Sequence, residues 1–158
     1  MMNNSIKQVK NMTQEEKQLL FKDLCARLPY GVKVKVFDES ILLESKNNEN
    51  GILDGKEIMS DDCFVIKCKN DSWIISCEDF KPYLRPMSSM TDEEIKYKLS
   101  NFFKIINTNI EGVGYKPTLN TFNAIKFIDW LNTNHFDYHG LIEKGMALEA
   151  PEGMYKTE

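Results

Sequence analysis

CFVIKCKNDSWIISC, residues 63–77, alternates in polarity on both sides of a polar centre. On the first limb Phe64, Ile66 and Cys68 share one face, and Val65, Lys67 and Lys69 share the other. On the second limb Trp73, Ile75 and Cys77 alternate with Ser72, Ile74 and Ser76. Alternation with a period of two marks a strand with one buried face. Asn70 and Asp71, between the limbs, tolerate the left-handed backbone that a two-residue hairpin turn needs. The stretch predicts a hairpin turning at Asn70-Asp71, with Cys68 and Cys77 on facing strands and near one another.

Upstream, VKVKVF (32–37) alternates as cleanly, with Val32, Val34 and Val36 against Lys33 and Lys35. Ile41–Glu44 reads as a second extended run, Asn47–Gly51 as a polar turn, and Gly51–Met59 as a weaker strand pair or irregular loop. Downstream, Glu78–Lys81 is a short turn, and the two prolines of PYLRP (82–86) confine that segment to an edge strand or an extended connector. These short strands over residues 31–87 predict a small antiparallel barrel of SH3-like type, or a curved meander with its helices on one face.

Helices flank this region. Thr13 and Glu16 have the spacing of a capping box, and so do Thr91 and Glu94. Behind Thr13, Leu20, Leu24 and Leu28 make one apolar face with Phe21 beside them, leaving Glu15, Lys22 and Asp23 for water; Pro29 and Gly31 end the helix. Behind Thr91, the apolar positions are Ile95, Leu99, Phe102, Phe103 and Ile106, fading at Asn107–Asn109. EGVGYKP (111–117) is a connector. Asn120 or Thr121 caps a third helix expected to dock through Phe122, Ile125, Ile128 and Leu131, with Trp130 flanking. Phe136, Tyr138, Leu141 and Ile142 should extend that contact. Gly145 then releases Met146–Ala150 to run extended beside the sheet or first helix. The expectation is α+β: a flexible leader over 1–12, then one domain over 13–158, comprising a helix (13–28), the small barrel (31–87) and a helical C-terminal part with an ordered tail (91–158).

The chain has 158 residues and a net charge of −4, enough length for a real core and no general basic excess for polyanions. The four cysteines, Cys25, Cys63, Cys68 and Cys77, come without a secretory leader and read as buried thiols of a reducing cytoplasm. No run is long enough for a membrane span.

Chemistry-bearing residues are sparse. His135 and His139 flank Asp137 in HFDYH and would share a face on a helix, with Asp129 as a third ligand. Asn132, Asn134 and Gly140 argue that the helix has ended, and Phe136 stands where a zinc protease needs Glu. The expected role is to close a helix end or tie the tail to the body, with no metal. The cysteines lack paired CxxC spacing. G-V-G-Y (112–115) lacks the flanking strand and helix of a phosphate loop, and no hydrolase or kinase signature is present. We therefore expect no enzymatic activity and no cofactor. Lys33, Lys35, Lys67 and Lys69 would form a basic strip on the outer face of neighbouring strands, with Trp73, Phe80 and Tyr83 as stacking surfaces for single-stranded nucleic acid. Outward lysines equally keep a small sheet soluble. Arg27 and Arg85 are the only arginines among twenty basic residues, and Arg85 suits a planar ion pair with Asp79 or a tail carboxylate, or an anion.

LCARLPYGVKV (24–34), PYLRPMSSMTDEE (82–94) and FDYHGLIEKGMALEAPEGMY (136–155) together resemble a family of small uncharacterised proteins from Bacteroidales genomes, their prophages and related phages. The match covers most of residues 13–156, apart from about 39–62 and 107–117. The resemblance brings no activity, cofactor or catalytic residue. It implies a cytoplasmic protein of a phage or mobile element, acting on host machinery. The expected function is non-enzymatic binding or regulation of a host or phage protein, with host defence as one target. The alternatives are single-stranded nucleic-acid binding and capture of a small ligand such as a nucleotide; homo-oligomerisation stays open.

Overall fold

The computed structural model describes residues 12–44, 49–60, 63–68, 71–106, 116–118 and 121–155. Helix α1 (Gln14–Arg27) begins at a reciprocal capping box, in which the Thr13 hydroxyl accepts from the Glu16 amide and the Glu16 carboxylate accepts from the Thr13 amide. Strand β1 (Lys33–Val36), helix α2 (Glu39–Glu44), and strands β2 (Asn50–Ser60), β3 (Cys63–Cys68), β4 (Asp71–Ser76) and β5 (Phe80–Leu84) follow. Helix α3 (Asp92–Phe102), strands β6 (Lys104–Ile106) and β7 (Lys116–Thr118), helix α4 (Thr121–Thr133) and the short β8 (Leu148–Glu149) complete the order. Residues 1–11, the expected leader, lie outside the described residues. Met12 already packs against the core.

The main sheet has six strands in the order β4-β3-β2-β1-β5-β8, antiparallel except for the parallel β5–β8 pair, and it is open rather than closed into a barrel. β1 to β4 form a meander, and β5 returns to the free side of β1, with Val34 opposite Pro82 and Gly51. The core is the inner face of this sheet under α1. Val32, Val34, Val36, Phe64, Ile66, Ile75, Phe80 and Leu84 meet Leu20 and Leu24 there, and Leu141, Met146 and Ala147 close it from the C-terminal side. Phe21, Phe64 and Phe80 pack in series at 5.7 Å between centroids, the first pair tilted and the second edge-to-face.

Several local expectations change. Ile41–Glu44 is helical, because Asp38 caps it: its Oδ1 accepts from the Ser40 and Ile41 amides. Gly51 belongs to β2. A Cβ there would meet Ile66 Cγ2 at 2.5 Å, so only glycine permits this approach of β2 to β3. The hairpin pairs Cys68 with Asp71, which moves the link to residues 69 and 70, outside the described residues. That register puts Cys68 and Cys77 at opposite ends of the hairpin; both are buried, and all four cysteines are free thiols. Residues 104–106 pair with 116–118 as strands instead of prolonging α3.

The largest difference concerns the helical pair. Phe102 is buried, but Ile95 and Leu99 of α3 are 37% and 44% exposed. On α4 Leu131 is buried, whereas Ile125 and Ile128 are 60% and 40% exposed. α4 turns Phe127 and Trp130 inward instead, into an aromatic cluster with Tyr97, Phe102, Phe103 and Phe136. Rings of this size bury more area per position than isoleucine, so they decide which face docks.

Candidate functional site

Polar chemistry concentrates where residues 132–155 cross α1 and β5. Asp23 and Arg27, one helical turn apart, are both 0% exposed and form a bidentate pair: Arg27 Nε donates to Asp23 Oδ2 at 2.7 Å and Nη2 to Oδ1 at 2.9 Å. Asp23 was expected to face water. It is buried because the C-terminal segment covers it: Arg27 Nη2 also donates to the Phe136 carbonyl at 2.8 Å, and His139 Nδ1 lies 2.8 Å from Asp23 Oδ1. With a carboxylate as acceptor, that imidazole nitrogen carries the proton. Tyr138 places its ring 5.1 Å from the Arg27 guanidinium and donates from its hydroxyl to Asn132 Oδ1.

Asp137, between the histidines, caps the turn that follows by accepting from the Leu141 and Ile142 amides, both at 2.8 Å. His135 takes a left-handed backbone (φ 57°), and its buried ring stacks on Tyr155 at 3.7 Å. Burial, with Arg27, Arg85 and Lys33 nearby, pushes this imidazole down to about 4, so it is neutral at physiological pH. The two histidines therefore serve different contacts and share no ligand position. Among the described residues no group of His, Cys, Asp and Glu could hold a metal ion.

Arg85 finds its planar ion pair with neither Asp79 nor the tail. Its Nη1 and Nη2 donate to Glu94 Oε1 and Oε2 at 2.8 and 2.9 Å, and its guanidinium lies 4.2 Å from the Phe136 ring centroid. Glu94 is also the reciprocal acceptor of the α3 capping box, and its hydrogen bond from Arg85 holds its carboxyl below the usual range. The Arg85 backbone brackets the tail: its amide donates to the His135 carbonyl, and its carbonyl accepts from the Asp137 amide. A concavity of about 650 Å³ opens beside it, lined by Glu94, Glu149, Glu152, Pro151 and Tyr155 among others. It is more acidic than basic.

The lysine strip is only partly assembled. Lys33 lies level with Lys67 across Ile52, on the outer face of the sheet. Lys33 is, however, held by the tail. Its Nζ donates to the Met154 carbonyl at 2.7 Å, and its amide donates to the Tyr155 hydroxyl, which in turn donates to the Tyr83 carbonyl. Lys35 pairs with Glu49 at 3.1 Å. Lys67 is exposed, and Lys69 lies outside the described residues. Trp73 and Phe80 pack with the core on the opposite face, away from the lysines. Asp23, Arg27, Glu94, Asp137 and Tyr155 complete this nexus. The sequence marks Arg27 by its rarity, Glu94 by its capping box and Asp137 within HFDYH, but gives none of the five these partners, for which the i, i+4 spacing of Asp23 and Arg27 was the available signal.

Among the described residues no helix is long and apolar enough to cross a membrane. Comparison with protein-family models, with curated proteins and with solved structures gives no match.

Proposed function

We propose that this chain is a non-enzymatic binding or regulatory protein that works through a protein surface on α3 and α4. One observation carries the reading: Ile95, Leu99, Ile125 and Ile128, with Tyr97 beside them, remain exposed on two helices that pack through Phe102, Phe127, Trp130 and Leu131. Apolar side chains gathered on two adjacent elements mark a contact surface better than single exposed residues do. Asp23, Arg85, Glu94, Asp137 and His139 of the nexus are paired within the chain, which supports a structural role over catalysis; buried Arg27 Nη1 and His135 Nδ1 are the atoms there without a hydrogen-bond partner. The resemblance at 24–34, 82–94 and 136–155 supports a setting in a phage or mobile element, with a host protein, one of host defence included, as partner in the cytoplasm. Burial pushes the Cys68 thiol up, in keeping with an inert core cysteine.

Nucleic-acid binding draws less support, since Lys33 and Lys35 are already engaged and, of the three expected rings, Trp73 and Phe80 face inward, leaving Tyr83 alone on the outer face beside Lys33. Nucleotide capture beside Arg85 would bring an anion to a guanidinium that Glu94 has neutralised, among further carboxylates. The test is site-specific photocrosslinking in the expressing cell from Leu99 and Ile125, with exposed Leu43 as the control position. The expected result is a discrete protein adduct from Leu99 and Ile125 and none from Leu43. Equal or absent adducts at all three would remove the proposal.

A further inference from the structure

The six-stranded sheet has two unlike edges. At one, β8 is two residues long and Pro151 follows soon after, so there is little backbone to pair. At the other, β4 presents DSWIIS, six residues without proline or lysine. Its pairing with β3 runs without a bulge from Cys63–Ser76 to Cys68–Asp71. Charge, proline and bulges are the usual means of blunting such an edge, and β4 carries only Asp71, at its end.

The register also states which backbone groups are free. A two-residue link makes Cys68–Asp71 a hydrogen-bonded pair, and such pairs alternate along an antiparallel ladder, so Ile66–Trp73 and Phe64–Ile75 are bonded too. Ser72, Ile74 and Ser76 then turn their N–H and C=O groups away from β3, to the side on which no strand pairs with β4 among the described residues. The Ser76 carbonyl already accepts from the Asp79 amide; the Ile74 side chain is 58% exposed, and Ser72 is exposed.

We propose that β4 is a self-association edge: two copies of the chain pair their β4 strands antiparallel about a two-fold axis at Ile74, joining two open sheets into one. In that register Ile74 faces its own copy on the outer face, Trp73 faces Ile75 of the second copy on the core face, and Ser72 faces Ser76. A two-fold contact of this kind is self-complementary by construction. Charge agrees with it. The far end of β4 runs into Asp79 beside Asp38, with Glu78 paired to Lys17, while at the hairpin end exposed Lys67 lies next to Ser72 and Asp71; antiparallel pairing brings Lys67 towards Asp79. Burial first, and the Asp38 and Glu78 carboxylates second, raise the Asp79 carboxyl.

Sedimentation equilibrium over a concentration series tests this, on the unaltered protein and on Ile74→Pro. Proline at 74 removes an outward donor and no β3–β4 hydrogen bond. The expected result is a mass that climbs to twice that of the chain, and a proline variant that stays monomeric while keeping its thermal transition. Amide exchange on the unaltered protein gives a second readout that needs no variant: Ser72 and Ile74 should slow as concentration rises. A monomer at every concentration, or a dimer indifferent to Ile74→Pro, overturns the proposal. So would Ser72 and Ile74 amides that slow only when another protein is added, which would assign the edge to a foreign strand.

Discussion

Residues 131–155 and the α3–α4 pair invert the usual association between regular structure and firm anchoring. The former is mostly turns with a two-residue strand, yet Phe136 and Leu141 are wholly buried and Met146 and Ala147 nearly so. The latter contains two well-formed helices, one with a complete capping box, and leaves five large apolar side chains exposed. Local hydrogen bonds make a helix, but they do not attach it. Attachment comes from groups whose partners lie far away in the chain, and the C-terminal segment holds most of these: Phe136 carbonyl to Arg27, His139 to Asp23, Tyr155 to Lys33.

The sharpest way to break this contrast is to delete residues 136–155. Losing one buried large side chain costs about 2–5 kcal/mol, and a domain has only about 5–15 kcal/mol in all. The truncated chain should therefore lack a cooperative thermal transition in circular dichroism. A native melting curve would show that the segment decorates the fold instead of closing it.

Next in size is Asp23→Ala, which strands a buried guanidinium. The expected loss is about 3–5 kcal/mol by urea titration. The double variant Asp23→Leu with Arg27→Met should recover much of it, since apolar replacements remove the uncompensated charge. If the double variant were no better than the single one, the cost would come from lost packing.

A third effect depends on pH. His135 folds as the neutral ring, with its pKa lowered from 6.5 to about 4. Between those values the unfolded chain takes up a proton that the folded chain refuses, so stability is complete above 6.5 and declines as pH falls towards 4. The full decline is on the order of 3 kcal/mol. His135→Asn keeps a residue that tolerates positive φ and should flatten the difference between urea midpoints measured at pH 7 and pH 4.5.

The smallest effect belongs to the helical pair. Ile125→Ala should stay within about 0.5 kcal/mol of the parent, as surface changes do. Leu131→Ala on the same helix should cost about 2 kcal/mol or more. Equal costs would mean that the face bearing Ile125 is covered in solution.

What could be read in the sequence was whatever depends on neighbours along the chain. Both capping boxes, the 63–76 hairpin, the inward valines of β1 and the closing role of Phe136 and Leu141 follow from spacing alone. What could not be read depends on remote groups. Asp23 looks like a solvated acid until residues 136–139 are laid over it. The Arg85 carboxylate is Glu94 because α3 starts beside β5, which no periodicity announces. α4 carries two apolar faces, and periodicity pointed to the aliphatic one, whereas Tyr97, Phe102 and Phe136 selected the aromatic one. The hairpin link slipped by a single residue and left the strand pair itself intact, with Cys68 and Cys77 at its opposite ends.

The sequence separations across the nexus bear on how the chain is made. Arg27 meets the Phe136 carbonyl 109 positions on, Asp23 meets His139 after 116, and the Lys33 amide meets Tyr155 after 122. On the ribosome the first helix emerges with its buried ion pair exposed and waits for 109 to 116 further residues before its cover arrives. Contacts of such span close late and slowly. The native state is thus reached only after residues 136–155 have emerged, and until then the inner face of the sheet is open to chaperones and to other nascent chains.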